Sequence, residues 1–357
     1  MLKYCLGLDV SSKEIYACLS VIDHLQKVTV KSSSKFLNNP SGFDSLVAWL
    51  IKHHRQKDIA LVVVMEATGV YYENVALFLH LKGYKVSVVL PNKAKKYLQA
   101  TGLKSKNDRI DAQGLSRMGA EQSLDLWQPK DEYFYQLRSL TRQHQSLQEL
   151  KTNVNNQLHA DLNGMYQNQT VISQLRVLIK TINGQIKDME AAIAAHLGKD
   201  KEVAKLVEGI TLIKGVGALT VAIILAETNG FALFKNIAQL ISFAGYDVVE
   251  NQSGDHKGKT RISKKGNGHI RRSLHMPALA VIRYQQLPFI QLFNRTLQRH
   301  GIKMKSYVAV QKKLLVLIYV MWKKKEAYQP AGKTTHSGEQ EQLSSSLLSF
   351  AEAGAIE

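Results

Sequence analysis

Two short apolar runs, each closed by an acid, constrain this chain more than any other feature. The first is Tyr4-Cys5-Leu6-Gly7-Leu8-Asp9; the second runs from Ile59 through Ala-Leu-Val-Val-Val-Met to Glu66. Apolar residues at nearly every position, rather than at every other one, mark short strands buried on both faces, as in a parallel pair covered by helices. Two further acids, Asp108 and Asp111, stand three residues apart at the start of an expected helix and share one face. Four carboxylates converging from two strand ends and one helix make a hard-cation site, and Mg²⁺ is its natural occupant. Two such ions a few ångströms apart would clamp the attacking and leaving oxygens of a phosphodiester.

An acid at a strand end also serves as an ordinary cap, so the order of elements carries the argument. A strand over residues 4–10 is followed by Glu14–Ile22, where Ile15, Ala17, Leu19 and Val21 alternate as in a half-buried strand. Lys27–Lys31 reads as a third strand closing an antiparallel meander. Asn39-Pro40-Ser41-Gly42 opens a helix carrying Phe43, Leu46, Val47, Leu50 and Ile51. The Glu66 strand, a helix ending at Gly83, a strand from Lys85 to Leu90 and a mostly helical stretch from Asn92 to about Gln122 complete the set. Three antiparallel strands followed by two helix-linked parallel ones is the ribonuclease H topology. In it the first and fourth strands are neighbours, which brings Asp9 beside Glu66 and lets the last helix carry Asp108 and Asp111 over them.

Charge defines the partner. The 357 residues hold 47 Lys and Arg against 29 Asp and Glu, a net charge of +18. From Asn251 to Lys325 there are seventeen Lys and Arg and one acid, Asp255. Such a body points to a polyanion, nucleic acid before membrane. No apolar run spans a bilayer, no phosphate loop of an ATP-driven motor occurs, and Cys5 and Cys18 have no zinc-site spacing, so they read as buried thiols of a reducing cytoplasm. The start, Met1-Leu-Lys-Tyr, enters a strand directly and is no signal peptide.

Beyond the acids, glycine nearly vanishes from Asp131 to about Val207, and Leu137, Leu140, Leu147 and Leu150 recur, followed after Gly164 by Val171, Leu175, Leu178, Ile182 and Ile186. This is an antiparallel arm or coiled-coil hairpin of two long helices, a spacer or strut. Gly215-Val-Gly217 between two apolar segments reads as a helix-hairpin-helix whose turn approaches a phosphate without reading a base. The segment Asn251–Arg272 is glycine-rich and strongly basic; Lys257, Lys259, Arg261, Lys264, Lys265, Arg271 and Arg272 are its candidate phosphate contacts. Within it Ser253 reads, on composition alone, as an ordinary turn serine.

These motifs together resemble a known family. Gly7-Leu-Asp9-Val-Ser, Met65-Glu66-Ala-Thr-Gly69, Lys106-Asn-Asp108-Arg-Ile-Asp111-Ala, Gly215-Val-Gly217 and Ser253-Gly254 with Gly266-Asn267 and Arg271-Arg272 are similar to those of the DEDD transposases of bacterial insertion sequences, the IS110 family with its IS1111 subgroup. The likeness covers Leu6 to about Tyr328. It implies an α/β ribonuclease H-like (RuvC-like) DEDD catalytic domain over 1–125 and a mostly α C-terminal serine transposase domain with a helix-hairpin-helix over 207–328; composition places the α-helical coiled-coil arm over 126–206 and a polar, disordered tail over 329–357. It implies that Asp9, Glu66, Asp108 and Asp111 hold Mg²⁺, two ions with Mn²⁺ as a substitute, and that Ser253 is a nucleophile; Ser263, its nearest rival, lacks the following glycine. It further implies double-stranded DNA as substrate, a transient phosphoserine link, a structured bridge RNA as guide, assembly as a homodimer or homotetramer, and a cytoplasmic, nucleoid-associated protein. The alternative is a metal-dependent nuclease or junction resolvase in which water attacks and Ser253 is structural; a DNA- or RNA-binding protein with a decayed site is the non-enzymatic third.

Overall fold

A computed structural model describes residues 2–101, 107–249 and 261–329, with the backbone of 252–253 and 256–257. It divides into two compact units, Met1–Pro129 and Lys130–Glu357.

In the first unit the strands are β1 (Lys3–Val10), β2 (Glu14–Ile22) and β3 (Val28–Leu37); helix α1 (Pro40–His53) and strand β4 (Leu61–Glu66) follow, then α2 (Glu73–Leu81), β5 (Lys85–Val89), α3 (Pro91–Ala100) and α4 (Asp108–Glu121). They form one five-stranded sheet in the order β3-β2-β1-β4-β5. β1–β2 and β2–β3 are antiparallel, while β1–β4 and β4–β5 are parallel. This is the ribonuclease H arrangement expected from the order of elements. Leu6, Leu8, Ile15, Leu19, Val63 and Met65 pack one face against Leu46 and Leu50 of α1 and Leu79 of α2. Cys5 and Val64 on the other face pack against Leu115 and Met118 of α4 and Ala94 of α3.

Three expectations shift. β2 is not half-buried: Cys18, Ser20 and Ile22, on the face left polar by the alternation, are covered too. Helix α4 lies there, and the Ser20 hydroxyl meets that of Ser116 at 2.7 Å, which satisfies a polar group in the layer. β3 runs on to Leu37, through Ser32-Ser33-Ser34, because it is a largely exposed edge strand that needs no apolar alternation. The unit also extends past residue 125: the Trp127 amide donates to the Val86 carbonyl at 2.7 Å and its ring packs on the sheet's core.

The second unit opens with α5 (Glu132–Asn163) and α6 (Gln169–Leu197). They are antiparallel: the Tyr133 hydroxyl reaches the Leu197 carbonyl at 3.3 Å, and His144 stands 3.4 Å from Glu190. Their far ends share a small core of Leu147, Val154, Leu175, Ile182 and Ile186, so the expected hairpin is present. Its base, through Leu137, Ile193 and Leu197, joins the core of the remaining elements rather than standing apart from them. Those elements are α7 (Lys201–Thr211), α8 (Ala218–Thr228), α9 (Ile237–Ala244), the two-residue strands β6 (Val248–Val249), β7 (Gln252–Ser253), β8 (His256–Lys257) and β9 (Arg261–Ile262), then α10 (Gly268–Ser273), α11 (His275–Arg283), α12 (Leu287–His300) and α13 (Lys303–Lys324). Both cysteines are free and buried. Among the described residues no helix is long and apolar enough to cross a membrane.

Candidate metal centre and nucleic-acid interface

The position of the four acids follows from register. Leu8 pairs with Met65 across the parallel β1–β4 ladder, so Asp9 and Glu66, the next residues along, are neighbours. Side chains alternate along a strand. Cys5 and Val64 face α4, so Asp9 and Glu66, each an even number of residues further on, face the same side. Helix α4 runs antiparallel to β1, for two glycines mark where it crosses. A Cβ on Gly119 would strike the side chains of Cys5 and Val64; one on Gly7 would strike the Ala112 carbonyl oxygen and the Ser116 backbone. One more pleat along β1 therefore brings Asp9 to the first turn of α4, where Asp108 and Asp111 stand. The Asn107 side chain caps that helix by accepting from the Ile110 amide at 2.9 Å. Acids in a first turn are favoured by the amides exposed there. Asp108 is exposed, whereas Asp9, Glu66 and Asp111 are partly buried. Glu66 also accepts a hydrogen bond from the Thr68 hydroxyl at 2.8 Å.

The fold thus carries the four carboxylates to one end of the sheet. Among the described residues, however, no group of three or more His, Cys, Asp or Glu side chains meets closely enough to hold a metal ion. Carboxylates repel one another unless a cation lies between them. The donor chemistry is that of a hard, oxygen-preferring divalent cation, and its fit requires the side chains to close around the ion from positions the backbone already gives.

In the second unit the predicted phosphate contacts separate into distinct roles. Helices α7 and α8 are joined by the stretch that holds Gly215 and Gly217. Gly215 is required by packing, with φ +101° and no room for a Cβ against Ala280. Gly217 caps α8 and is exposed, with no described atom within 4 Å of its missing Cβ, so the amide end of α8 has room beside it for an anion. Arg271 is a fastener rather than a clamp: its guanidinium donates to the Ala244 carbonyl at 2.7 Å and to the Asn267 and Lys264 carbonyls at 3.4 Å. Arg272 is exposed and pairs with Glu149. Arg261, Lys264 and Lys265 are exposed. Ser253 pairs with His256 and Gln252 with Lys257 in an antiparallel ladder, so Ser253 lies in a strand. Lys106, Gly254 and Lys259 lie outside the described residues, as does the tail from Pro330.

One cluster went unread in the sequence. Glu227, in the apolar helix α8, is buried, and its carboxylate takes both arms of Arg142, at 2.7 and 3.0 Å, and the Asn267 amide at 2.6 Å; Arg138 stands 3.7 Å away. Burial pushes its carboxyl up, but the hydrogen bonds from Arg142 and Asn267 and the charges of both arginines outweigh it and hold the pKa below the ordinary glutamate value. Asn267 also caps α10, its side-chain Oδ1 accepting from the His269 and Ile270 amides, and His269 itself bonds Gln145 on α5. The network ties the arm to the basic segment. A lone acid inside Ile223-Ile-Leu-Ala-Glu227 was the available signal.

Residues 6–167 match the family model for the DEDD transposases of IS110. Residues 207–293 match the model described as transposase IS116/IS110/IS902 family. The chain belongs to the IS110 transposase family. Among similar proteins, the pilin gene-inverting protein of Moraxella bovis is 27% identical over 326 residues, covering 90% of this chain and 96% of that protein. The transposase for insertion sequence element IS1111A of Coxiella burnetii is 24% identical over 292 residues, covering 74% of this chain and 79% of that one. Of solved structures, RuvC from T. thermophilus in complex with Holliday junction substrate aligns with 35% of this chain and 99% of its own, at 11% identity and a TM-score of 0.27. Fowlpox virus resolvase in complex with a Holliday junction aligns with 33% of this chain and 97% of its own, at 16% identity and a TM-score of 0.24. The fold assignment of the first unit rests on strand order and register, not on these overlaps.

Proposed function

We propose that this chain is a DNA recombinase of an insertion sequence that cuts and rejoins DNA through Asp9, Glu66, Asp108, Asp111 and Ser253. The observation that carries the reading is the arrival of four acids, from two parallel strand ends and one capped helix, at one end of a ribonuclease H sheet. A divalent cation, Mg²⁺ with Mn²⁺ as substitute and two per site, supplies polarisation of the scissile phosphate when bound. The Ser253 hydroxyl attacks phosphorus: its O–P bond forms, the bond from phosphorus to the departing sugar oxygen breaks, and the serine proton ends on that oxygen. The phosphodiester is conserved as a serine ester, so attack by a new sugar hydroxyl reverses the step without ATP. The exposed Arg261, Lys264 and Lys265 and the open end of α8 hold backbone phosphates, and affinity for duplex DNA falls linearly on a log–log plot as salt rises.

The family likeness extends the reading to a bridge RNA that base-pairs with both DNA partners and to assembly as a homodimer or homotetramer. Pairing would read sequence while the protein reads backbone. The two named relatives, a gene-inverting protein and a transposase, both rearrange DNA, which suits one strand-exchange chemistry for this chain.

The test is covalent trapping. The full chain is incubated with Mg²⁺, the RNA of its element end and end-labelled junction DNA, then denatured. A protein–DNA adduct is expected, and it disappears in Ser253→Ala and in Asp108→Asn. Cleaved DNA with no adduct, and undiminished cleavage by Ser253→Ala, would replace the serine mechanism with hydrolysis by water.

A further inference from the structure

A cleft of about 700 Å³ opens within the second unit, between the middle of α5, the first turns of α8, and α10 and α11. Neither the metal chemistry nor the serine step uses it. Its floor is apolar: Leu219, Ile223, Ile262 and Met276 line it, and among the described lining residues there is no Phe, Tyr or Trp. Around this floor stand His144, Gln148 and Ser273, with Arg271 and Arg272 at the basic segment's end. An apolar floor with a few polar groups, at this volume, is the make-up of a small-ligand pocket.

His144 gives the cleft its chemistry. It is buried, 4% exposed, and among the described residues its Nδ1 has no hydrogen-bond partner. Its Nε2 lies 3.4 Å from the Glu190 carboxylate, which only accepts, so Nε2 donates there and Nδ1 is the ring nitrogen left over for a further partner. A buried polar atom without a partner calls for one. Gln148, on the same helix one turn further along, adds an amide that both donates and accepts. A ring nitrogen, an amide that donates and accepts, and an apolar floor match the edge and the face of a purine or pyrimidine ring.

We propose that this cleft holds one unstacked nucleobase of a nucleic-acid strand. Its edge bonds His144 and Gln148, its face rests on Leu219, Ile223 and Ile262, and its phosphate lies toward the exposed Arg272. Bases taken out of a stack are bound in this way, by hydrogen bonds to the edge and apolar contact to the ring. The inference rests on the reading of the chain as a nucleic-acid enzyme and adds a contact to the base itself, where the basic segment touches only backbone.

The test uses the full chain with a ten-nucleotide oligothymidine carrying a single 2-aminopurine, whose fluorescence is quenched by stacking. Deoxy and ribo forms are compared, each beside a strand abasic at the same position, and the analogue is moved along the strand. A several-fold rise in fluorescence is expected at one or more positions, with the abasic strand bound about tenfold more weakly. A response confined to deoxy or to ribo strands names the nucleic acid involved. Gln148→Leu and Thr220→Leu, both at partly buried positions lining the cleft and neither adding a quenching ring, are expected to remove the rise and bring the affinity ratio towards one, with the salt dependence unchanged. Equal binding of abasic and intact strands, or a rise that survives both substitutions, would overturn the base pocket and leave the recombinase reading intact. Failure of the wild-type chain to bind any of these strands would likewise overturn the base pocket, while the recombinase reading stands or falls on the trapping of junction DNA.

Discussion

Replacing Gly7 with alanine is expected to destabilise the first unit by about 3 kcal/mol, the upper range for forcing an extra methyl group into a close-packed site. The contact surface of β1 at this point is bare backbone: a Cβ would enter the Ala112 carbonyl oxygen and the backbone of Ser116. Neither obstacle is the movable end of a side chain, so α4 must lift. Because Asp108 and Asp111 ride on α4 and Asp9 is two residues along β1, the same displacement widens the acid cluster, and cleavage should fall further than the loss of folded protein explains. Gly83→Ala is the control. Gly83 has φ +84° with nothing within 4 Å of its missing Cβ, so alanine there strains only a local turn, by about 1–2 kcal/mol, and leaves the acids where they are. Urea unfolding and DNA cleavage on the three proteins decide it. Wild-type cleavage by soluble Gly7→Ala would show that the helix–strand approach does not position the acids.

Glu227→Ala should be comparably severe in the second unit, with a loss of about 3 kcal/mol. The arginines are the reason. Removing the carboxylate leaves Arg138, 22% exposed, and Arg142, 40% exposed, facing each other without a counter-charge, and frees the Asn267 amide. Arg142 can turn partly to water, which keeps the cost at the lower end of what a broken buried pair produces. A pH dependence accompanies it. Glu227 titrates below the ordinary glutamate value in the folded chain, so its contribution is fully present above the unfolded-state pKa and is lost as pH falls through the lower, folded value. Wild-type stability should therefore drop on acidification over that window, and Glu227→Ala should lack this part of the drop. Parallel acid profiles for the two proteins would remove Glu227 from the account.

Much of the first unit was legible because burial writes itself into strand sequence. Tyr4–Asp9 and Ile59–Glu66 are apolar throughout since helices cover both faces, and their closing acids sit where the sheet ends. Legibility stopped where a partner element decides the environment. Cys18 and Ser20 look like an outward face; only the close approach of α4, allowed by Gly7 and Gly119, encloses them. Ser32-Ser33-Ser34 carries no strand pattern because an edge strand obeys hydrogen bonding, not burial. In the basic segment, sequence counted charges but could not assign them: Arg271 is occupied by three backbone carbonyls, while its neighbour Arg272 stays exposed. Glu227 was visible only as an oddity in an apolar helix, since its partners lie 85 residues before and 40 residues after it.

The glycine seam under α4 has a mechanical consequence. With Gly7 on the strand and Gly119 on the helix, a Cβ at either would strike what lies across the seam, so the helix sits like a key in a slot. Sliding by one residue would push a side chain of α4 into the sheet, which leaves no low-cost intermediate position. Closure of the acids around an ion is then confined to rotation about their own χ angles. Amide hydrogen exchange through Ala112–Gly119 should stay slow and unchanged when Mg²⁺ is added, even as the carboxylate carbons of Asp108 and Asp111 shift in the NMR spectrum.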